Sequence, residues 1–289
     1  MAPFHNLVRT AINKIMKKSN SIPFSIVTVC LNPGRDLEKT VSSVFEQKFQ
    51  NFELVIKDGC STDGTQEKHW ADNRVRFFSY PDEGIFDAMN QALELCRGNY
   101  VIFMNAGDYF ADSEVLKSFA DATENFPGVE FFYGDVFKHQ GRAKINIYPD
   151  HLSRFFLFTR MICHQCWCVK RSVYLSYGGF ETKFPIGGDL RLFIKMIAGD
   201  RLKYKHVRRL VACYEGGGQS SDPTLLNNSK PWENEIRQEF FSAFEYRVYS
   251  LLWQMWTTVK PVLYDHCLSW LWRLIQTRRN RNNIIYRNS

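Results

Sequence analysis

The feature that most constrains this chain is an alternation of apolar strand-like segments with amphipathic helical segments in its N-terminal third. Strands are predicted at Phe24–Leu31, Phe52–Ile56, Arg74–Ser79 and Tyr100–Met104, with helices at 36–47 and 84–96. Alternating strands and helices are typical of a parallel sheet with right-handed crossovers. The sequence therefore predicts an α/β fold, with helices flanking a mixed, mainly parallel sheet.

Polar residues cluster where three of these strands end. Asn32 follows the first strand, Asp58 follows the second, and 105–108 (Asn-Ala-Gly-Asp) follow the fourth. In open α/β sheets the ligand lies beyond the carboxyl ends of the strands. The three clusters therefore predict one ligand site at this edge of the sheet.

The rest of the chain is less regular. Strands are predicted at Glu130–Lys138, Ala143–Tyr148 and Ile162–Lys170. Helices are predicted at Asp189–Ala198, Trp232–Lys260 and 262–279, the last two separated by a break at Pro261. A glycine loop at 216–218 resembles a lid. The predicted organisation is a basic amphipathic N-terminal helix (1–22), a catalytic domain (23–228) and a C-terminal helical appendage (229–289).

Composition and charge restrict the partners. The chain is 45% hydrophobic, enough for a large core, and its formal net charge of +7 is concentrated near its two ends. The middle carries no DNA- or RNA-binding motif, so nucleic acid is not an expected partner. No secretory signal and no apolar run of about 20 residues is seen, so we expect a cytoplasmic protein without a spanning helix.

The chain has eight cysteines, three of them in the segment Cys163-His164-Gln165-Cys166-Trp167-Cys168. Interpreted as a strand, this segment would point alternate side chains to opposite faces. Zinc ligands usually come as two separated pairs. Buried free thiols are therefore the preferred interpretation, and a zinc site is the alternative.

Four motifs together carry a family resemblance: Phe24–Asn32, Asp58–Thr65, Asp82–Asn90 and Asn105–Asp108. Their order and spacing resemble the inverting family-2 glycosyltransferases of GT-A fold, in particular those of bacterial exopolysaccharide and lipopolysaccharide synthesis. The resemblance covers about residues 24–220. It implies transfer of a sugar from a nucleotide-diphosphate sugar, expected to be a UDP-sugar, to a lipid-linked or glycan acceptor, with Mn²⁺ or Mg²⁺ as cofactor.

The same resemblance assigns roles to individual residues. Asp108 is the expected metal ligand, Asp189 the general base, and His164, in a His-Gln pair, is expected near the acceptor and the diphosphate. The expected nucleotide-binding residues are Asn32, Asp58, Asp82, Asn90, Asn105, Ala106 and Gly107. Each has a plainer interpretation, since Asp and Asn favour turns, Asp189 suits a helix N-cap and a lone strand His is often structural.

Other functions remain open at this point. The chain departs from the family pattern at Lys57, Asn105, Gly107 and Gly188, so an inactive nucleotide-sugar- or glycan-binding module of the same fold is the main alternative. A nucleotidyltransferase would carry a Gly-rich basic signature after the first strand, for which Asn32-Pro33-Gly34-Arg35 is a poor match.

The C-terminal appendage is rich in Trp, Tyr and aliphatic residues, and Arg273, Arg278, Arg279 and Arg281 follow them. Such a composition is typical of a helix lying in a membrane interface. We therefore expect peripheral attachment to the anionic inner face of the cell membrane. The alternatives are a helix pair that covers the core and a homo-oligomer interface.

Overall fold

The computed structural model describes residues 22–139, 143–183, 186–199, 202–216 and 223–266. The predicted N-terminal helix, most of the glycine loop and the chain after residue 266 lie outside the described residues. The strands are Phe24–Cys30 (β1), Phe52–Asp58 (β2), Val75–Ser79 (β3), Tyr100–Phe103 (β4), Tyr109–Phe110 (β5), Phe131–Lys138 (β6), Lys144–Asn146 (β7), Trp167–Lys170 (β8) and Tyr204–Tyr214 (β9).

The described helices flank this sheet or follow it. They are Asp36–Phe45 (α1), Ile85–Leu95 (α2), Val115–Asn125 (α3), Arg154–Thr159 (α4), Arg171–Ser176 (α5), Gly188–Ile194 (α6), Pro223–Phe240 (α7) and Ala243–His266 (α8). A π-helical turn, Lys195–Gly199, continues α6. The predicted boundary between residues 228 and 229 falls inside α7.

The sheet has the order β3-β2-β1-β4-β8-β6-β9-β5, with β7 paired to β6. Strands β3, β2, β1 and β4 are mutually parallel, whereas β8 runs antiparallel to both β4 and β6. β1 lies between two strands, and its first six residues are buried. Burial on both faces explains the continuous apolar run from which the strand was predicted.

The parallel half of the sheet brings the carboxyl ends of β1, β2 and β4 together. Cys30 pairs with Asp58 in the parallel register, and Met104 donates its N–H to the Val27 carbonyl. The predicted polar clusters therefore share one edge of the sheet, as the sequence pattern required.

The segment Ile162–Lys170 is only partly a strand, which corrects the sequence-based expectation. His164–Cys166 forms a 3₁₀ turn, and β8 begins at Trp167. The turn points the His164 and Gln165 side chains toward the polar edge, because the residues no longer alternate as they would in a strand.

Strand β9 has no clear signal in the sequence. Its pairing with β6 shifts register at two places, and Arg208 has a positive φ of 51°. The extra residues in β9 break the two-residue alternation on which strand prediction relies. β9 nevertheless matters for the site, since it leads directly to Glu215.

The C-terminal helices pack on the domain. Ile236 and Phe241 belong to the buried core, and the Phe158 ring lies 5.3 Å from the Phe241 ring. Arg154 of α4 forms an ion pair with Glu245 through two nitrogens. The first part of this appendage therefore completes the core.

The break between the two C-terminal helices lies at residues 241–242 and not at Pro261, which lies within α8. The Glu245 N–H donates to Ser242 Oγ over 3.2 Å, and the Ser242 N–H donates to Glu245 Oε2 over 3.0 Å. This reciprocal pair is a capping box, which starts α8. A proline removes one backbone donor and need not end a helix, so the break predicted at Pro261 was wrong.

In the part of the chain that the structure describes, no helix has both the length and the apolar character needed to cross a membrane.

Candidate active site

Asp108 ends the loop after β4 and is almost fully buried, with 6% of its surface exposed. Gln165 Nε2 donates to its Oδ2 over 2.7 Å, and the Glu215 N–H lies 3.4 Å from its Oδ1. Burial raises the pKa of Asp108 from 3.8 to about 6, against the lowering effect of the Gln165 hydrogen bond. A carboxylate in this position is stabilised by an approaching positive charge.

The site offers few protein ligands for a cation. Among the described residues, no group of three or more His, Cys, Asp or Glu side chains is placed to hold a metal ion. The buried Asp108 fits the role of a single protein ligand, because Mg²⁺ and Mn²⁺ sites at phosphates take few carboxylates and complete their shell with phosphate oxygens and water. The fit therefore depends on a bound diphosphate.

Of the three clustered cysteines, Cys166 and Cys168 are buried and Cys163 is partly buried, and all three are free thiols. Burial raises the pKa of the Cys163 thiol to about 12 and raises the pKa of the Cys166 thiol well above its usual value. Cys166 Sγ donates to the Asp135 carbonyl over 3.2 Å. Protonated, enclosed thiols of this kind fit the interpretation as buried free thiols.

His164 joins two parts of the site that are far apart in the sequence. Its Nδ1 lies 3.1 Å from Asp189 Oδ2, and its Nε2 lies 3.3 Å from Asn105 Nδ2. The His164 side chain is 13% exposed and that of Asp189 is 17% exposed. Three predicted site residues are thus connected from the end of β4 to the start of α6.

Asp189 is not the N-cap of α6. The cap position is Gly187, with φ 98°, and it has no side-chain cap hydrogen bond. Asp189 lies in the first turn, where its Oδ1 accepts from the Leu190 N–H over 2.9 Å. The N-cap interpretation of this carboxylate is therefore wrong, and Oδ2 remains directed at His164.

Close packing explains why a glycine precedes Asp189. A Cβ at Gly188 would lie 2.3 Å from the Glu181 carbonyl oxygen and 2.9 Å from the Phe86 ring. Real side chains do not tolerate such distances, so the backbone packing excludes the Glu that the resemblance implies here. The departure from the family pattern at Gly188 is therefore explained by local packing, and Asp189 is still present as the candidate base.

Asn32 and Asp58 are brought together through Ser61. The Asn32 N–H donates to Ser61 Oγ over 2.7 Å, and Asp58 Oδ2 accepts from the Ser61 N–H over 2.9 Å. Asp58 is fully buried and also accepts from Ser79 Oγ over 2.6 Å. Its carboxylate therefore holds the loops after β1 and β2, whereas Asn32 is exposed at the edge.

Lys57 has a buried ammonium that the sequence did not explain. It donates to Asp82 Oδ2 over 2.8 Å and to the Tyr80 carbonyl over 2.7 Å. Asp82 Oδ1 in turn lies 3.2 Å from the Gly84 N–H. The predicted nucleotide ligand Asp82 is thus the counter-ion of Lys57, and the pair shapes the turn that leads into α2.

Asn90 serves a different segment of the chain. Its Nδ2 donates to the Phe180 carbonyl over 2.8 Å, and its Oδ1 accepts from the Phe180 N–H over 2.7 Å. Both polar atoms of the side chain are therefore used to hold the turn before α6. The structure does not bring Asn90 together with the other predicted nucleotide-binding side chains.

Ala106 and Gly107 form the turn between Asn105 and Asp108. Gly107 has φ 99°, a conformation that favours glycine, and its N–H donates to Thr40 Oγ1 over 3.0 Å. Thr40 Oγ1 also donates to the Asp108 carbonyl over 2.7 Å. The glycine is thus explained by the shape of the loop.

Some functional contacts have no sequence signal. The His-Gln pair is visible in the sequence, but its contact with Asp108 depends on the 3₁₀ turn. Glu215 reaches Asp108 only because β9 pairs with β6 and β5, and β9 was not predicted.

The mixed, mainly parallel sheet with flanking helices, its polar edge and the buried acid at the end of β4 define an α/β domain of the GT-A type. Residues 25–177 match the sequence model described as Glycosyl transferase family 2. Because that match spans more than half of the chain, the chain belongs to glycosyltransferase family 2.

The chain is also similar to curated relatives in sequence and to solved structures in fold. The chain is 29% identical over 204 residues to the PGL/p-HBAD biosynthesis glycosyltransferase Rv2957 of Mycobacterium tuberculosis, covering 68% of this chain and 79% of that protein. The structure of S. aureus TarS 1–349 in complex with UDP-GlcNAc superimposes with a TM-score of 0.58 at 17% identity, over 75% of this chain and 71% of that chain. In another structure of the same fragment the match covers 60% of that chain.

A second solved structure is the mannosyltransferase PcManGT from Pyrobaculum calidifontis in complex with GDP-Man and Mn²⁺. It superimposes with a TM-score of 0.52 at 16% identity, over 89% of this chain and 84% of that chain. At these identities the similarity concerns the fold, and the predicted GT-A fold is confirmed.

Proposed function

We propose that the chain transfers a sugar from a UDP-sugar to a lipid-linked or glycan acceptor with inversion, in the synthesis of a bacterial surface polysaccharide. The observation that carries this proposal is the position of His164. It contacts Asn105 at the nucleotide edge and Asp189 at the start of α6. A candidate base thereby lies in one hydrogen-bonded network with the edge where the donor would bind.

Similarity supports the donor and the biosynthetic context. TarS was crystallised with UDP-GlcNAc, and the mycobacterial relative is named for PGL/p-HBAD biosynthesis. The first supports a UDP-sugar donor, and the second supports a biosynthetic role.

Inversion requires a base on the face of the sugar opposite the leaving group. In the proposed step the Asp189 carboxylate takes the proton of an acceptor hydroxyl. The acceptor oxygen bonds to the anomeric carbon, while the bond from that carbon to the diphosphate oxygen breaks and UDP leaves. The hydrogen bond from His164 orients Oδ2 of Asp189 for this transfer.

Asp108 is the residue proposed to hold Mn²⁺ or Mg²⁺ together with the donor diphosphate. A divalent cation supplies positive charge that offsets the charge developing on the leaving diphosphate. The Mn²⁺ named for PcManGT supports this cofactor. Asn32, Ala106 and Gly107 are proposed to face the nucleotide, and Asp58 and Asp82 to shape the loops that receive it.

The alternative is a catalytically inactive binding module of the same fold. It would be favoured by the departures from the family pattern, but the departure at Gly188 follows from the packing of Glu181 and Phe86. The connected Asn105, His164 and Asp189 favour the enzyme.

We also propose that the exposed face of α8 attaches the enzyme to an anionic membrane at the cytoplasmic surface. Six exposed apolar residues share this face: Phe244, Leu251, Leu252, Met255, Trp256 and Val259. Their spacing of three, four and seven residues places them on one side of the helix. The arginines that follow α8 in the sequence supply the charge for anionic headgroups.

The test of function is turnover. The full chain is incubated with a panel of UDP- and GDP-sugars and Mn²⁺, with and without lipid-linked acceptors, and release of the nucleoside diphosphate is measured. We expect acceptor-dependent release from a UDP-sugar and a product whose anomeric configuration, read by NMR, is inverted. Stoichiometric donor binding without any turnover would favour the inactive module.

A further inference from the structure

Asn105 carries a buried oxygen that has no partner among the described residues. Its side-chain nitrogen contacts His164 Nε2, whereas its Oδ1 is enclosed and receives no hydrogen bond from the described protein. Buried amide oxygens normally have a donor. In this orientation the amide nitrogen, and not the oxygen, faces the His164 ring.

His164 and Asp189 share one hydrogen bond, and Asn105 contacts the other ring nitrogen, so the three side chains restrict which ring nitrogen carries a proton. An ionised Asp189 only accepts hydrogen bonds, so His164 Nδ1, at 3.1 Å, must carry the proton. A neutral imidazole has one N–H, and its other nitrogen is an acceptor. Nε2 can then accept the hydrogen bond that Asn105 Nδ2 donates. One assignment satisfies both contacts: ionised Asp189 and neutral His164 with its proton on Nδ1.

The opposite amide orientation would have a different result. With Oδ1 facing Nε2, both ring nitrogens would have to donate, and His164 would be an imidazolium. A positive ring beside Asp189 would make that carboxylate a poorer proton acceptor, because it stabilises the negative charge. The amide at position 105 therefore allows a neutral ring, whereas an aspartate there would favour a charged one.

We propose that Asn105 is a positioning residue that holds His164 as the neutral Nδ1–H tautomer and so keeps Asp189 oriented and basic for proton abstraction. The proposal rests on the proposed glycosyl transfer, since it assigns Asn105 to the base and not to the nucleotide. It also gives a role to the amide that stands where the family pattern has an acid.

The first test reads the tautomer without any substrate. Long-range ¹⁵N–¹H NMR of ¹⁵N-histidine-labelled full chain, with His164 assigned by the H164Q spectrum, should show Nδ1 protonated and Nε2 unprotonated at neutral pH. In N105D both nitrogens should be protonated. An Nε2–H tautomer or an imidazolium in the unmodified protein overturns the proposal, and this arm requires no variant to be active.

The second test separates positioning from nucleotide binding. N105D should lower kcat by about 10- to 100-fold, the range seen when outer partners of functional side chains are removed, with the donor KM within about twofold. N125D, the same change at an exposed end of α3, should leave both constants unchanged. Unchanged kcat in folded N105D, or a rise in donor KM alone, overturns the proposal. Absence of turnover in the unmodified chain would defeat the proposed function, while the NMR result would still decide the tautomer.

Discussion

Gln165 donates a 2.7 Å hydrogen bond to the Asp108 carboxylate, and the residue before it, His164, contacts the Asp189 carboxylate. One 3₁₀ turn thus reaches both acids that the proposed reaction needs. The turn lies between β4 and α6 in space, so it sets the distance between the leaving-group side and the base side of the site. Changes in this turn should therefore affect both functions together.

The role of Asp189 as base predicts a large kinetic effect. D189N should bind the donor nearly as well as the unmodified chain but transfer sugar on the order of a hundredfold more slowly, because the amide takes no proton. Donor binding is measured by calorimetry and transfer by steady-state kinetics. D121N, at an exposed position of α3, is the matched control. Near-normal turnover in D189N would show that the base lies elsewhere.

The raised pKa of Asp108 predicts a pH-dependent stability in the protein without ligand. Well below pH 3.8 the carboxyl is protonated in both the folded and the unfolded state and contributes nothing. Between 3.8 and about 6 the unfolded chain loses the proton first, so the free energy of unfolding falls, and above that range the loss is constant. Such a rise in pKa corresponds to about 3 kcal/mol.

D108N removes this ionisation. The variant should be more stable than the unmodified chain at pH 7.5 by about 1–2 kcal/mol, less than the full amount because the amide also meets the Glu215 N–H. At pH 4 the difference should disappear. Urea unfolding at the two pH values measures this, and equal differences at both would contradict the raised pKa.

Asp108 also predicts metal dependence. Activity should vanish with EDTA and return with Mn²⁺ or Mg²⁺, and D108N should lose the additional thermal stabilisation that the metal gives with UDP. A ligand at 100 times its Kd stabilises by about 2.7 kcal/mol, which a thermal-shift assay detects. Full activity of the unmodified enzyme in excess EDTA would exclude the metal.

The close approach at Gly188 predicts that even alanine is costly there. G188A should lose about 1–3 kcal/mol of stability, the usual cost of overpacking, because its Cβ meets the Glu181 backbone. It should also lower kcat, since Asp189 is the next residue. G128A, where a Cβ meets nothing within 4 Å, is the control. If G188A keeps the stability and the kcat of the unmodified chain, packing does not require glycine at this position.

The sequence predicted the parallel half of the fold well. β1, β2 and β4 are buried on both faces, so their composition is apolar and their ends are marked by polar turns. Roles for Asn105, Asp108, His164 and Asp189 were also predicted, from the family resemblance, and they remain predictions. The mutual contacts of these residues were not predicted, since they depend on β8 pairing between β4 and β6.

The side chains whose predicted role differs most from the geometry are Asp58, Asp82 and Asn90. Each belongs to a motif that marks the family, but each has its hydrogen bonds satisfied within the protein. A sequence does not distinguish a polar residue that binds a ligand from one that holds the loop beside it. Lys57 illustrates the reason, because its buried charge demands Asp82 as a partner.

The contribution of the C-terminal helices to the core could be recognised only from the structure. Ile236 and Phe241 are core residues, so ending the chain near Pro231 would remove part of the core together with the appendage. Attachment to a membrane is therefore better tested by substitutions on the exposed face of α8 in the full chain.

The exposed face of α8 predicts membrane binding that depends on apolar burial. The full chain should sediment with vesicles of phosphatidylglycerol and much less with phosphatidylcholine, because each basic residue near an anionic surface adds about 1 kcal/mol. The variant L251S/M255S/W256S removes three exposed apolar side chains and should remain in the supernatant. Salt should weaken attachment of the unmodified chain without abolishing it, since apolar burial is not screened.

Serine substitutions could weaken α8 itself, so the control is Q254S/T257S, at two exposed polar positions of the same helix. This control should sediment like the unmodified chain. Circular dichroism and UDP binding show that each variant is folded and keeps its nucleotide site. If the apolar variant sediments equally well, the face of α8 is not the attachment site. A different outcome would identify the face of α8 as an oligomer interface that a second copy of the chain covers. In that case light scattering shows that the unmodified chain is a dimer and that only the apolar variant is not, and neither of these two proteins binds vesicles.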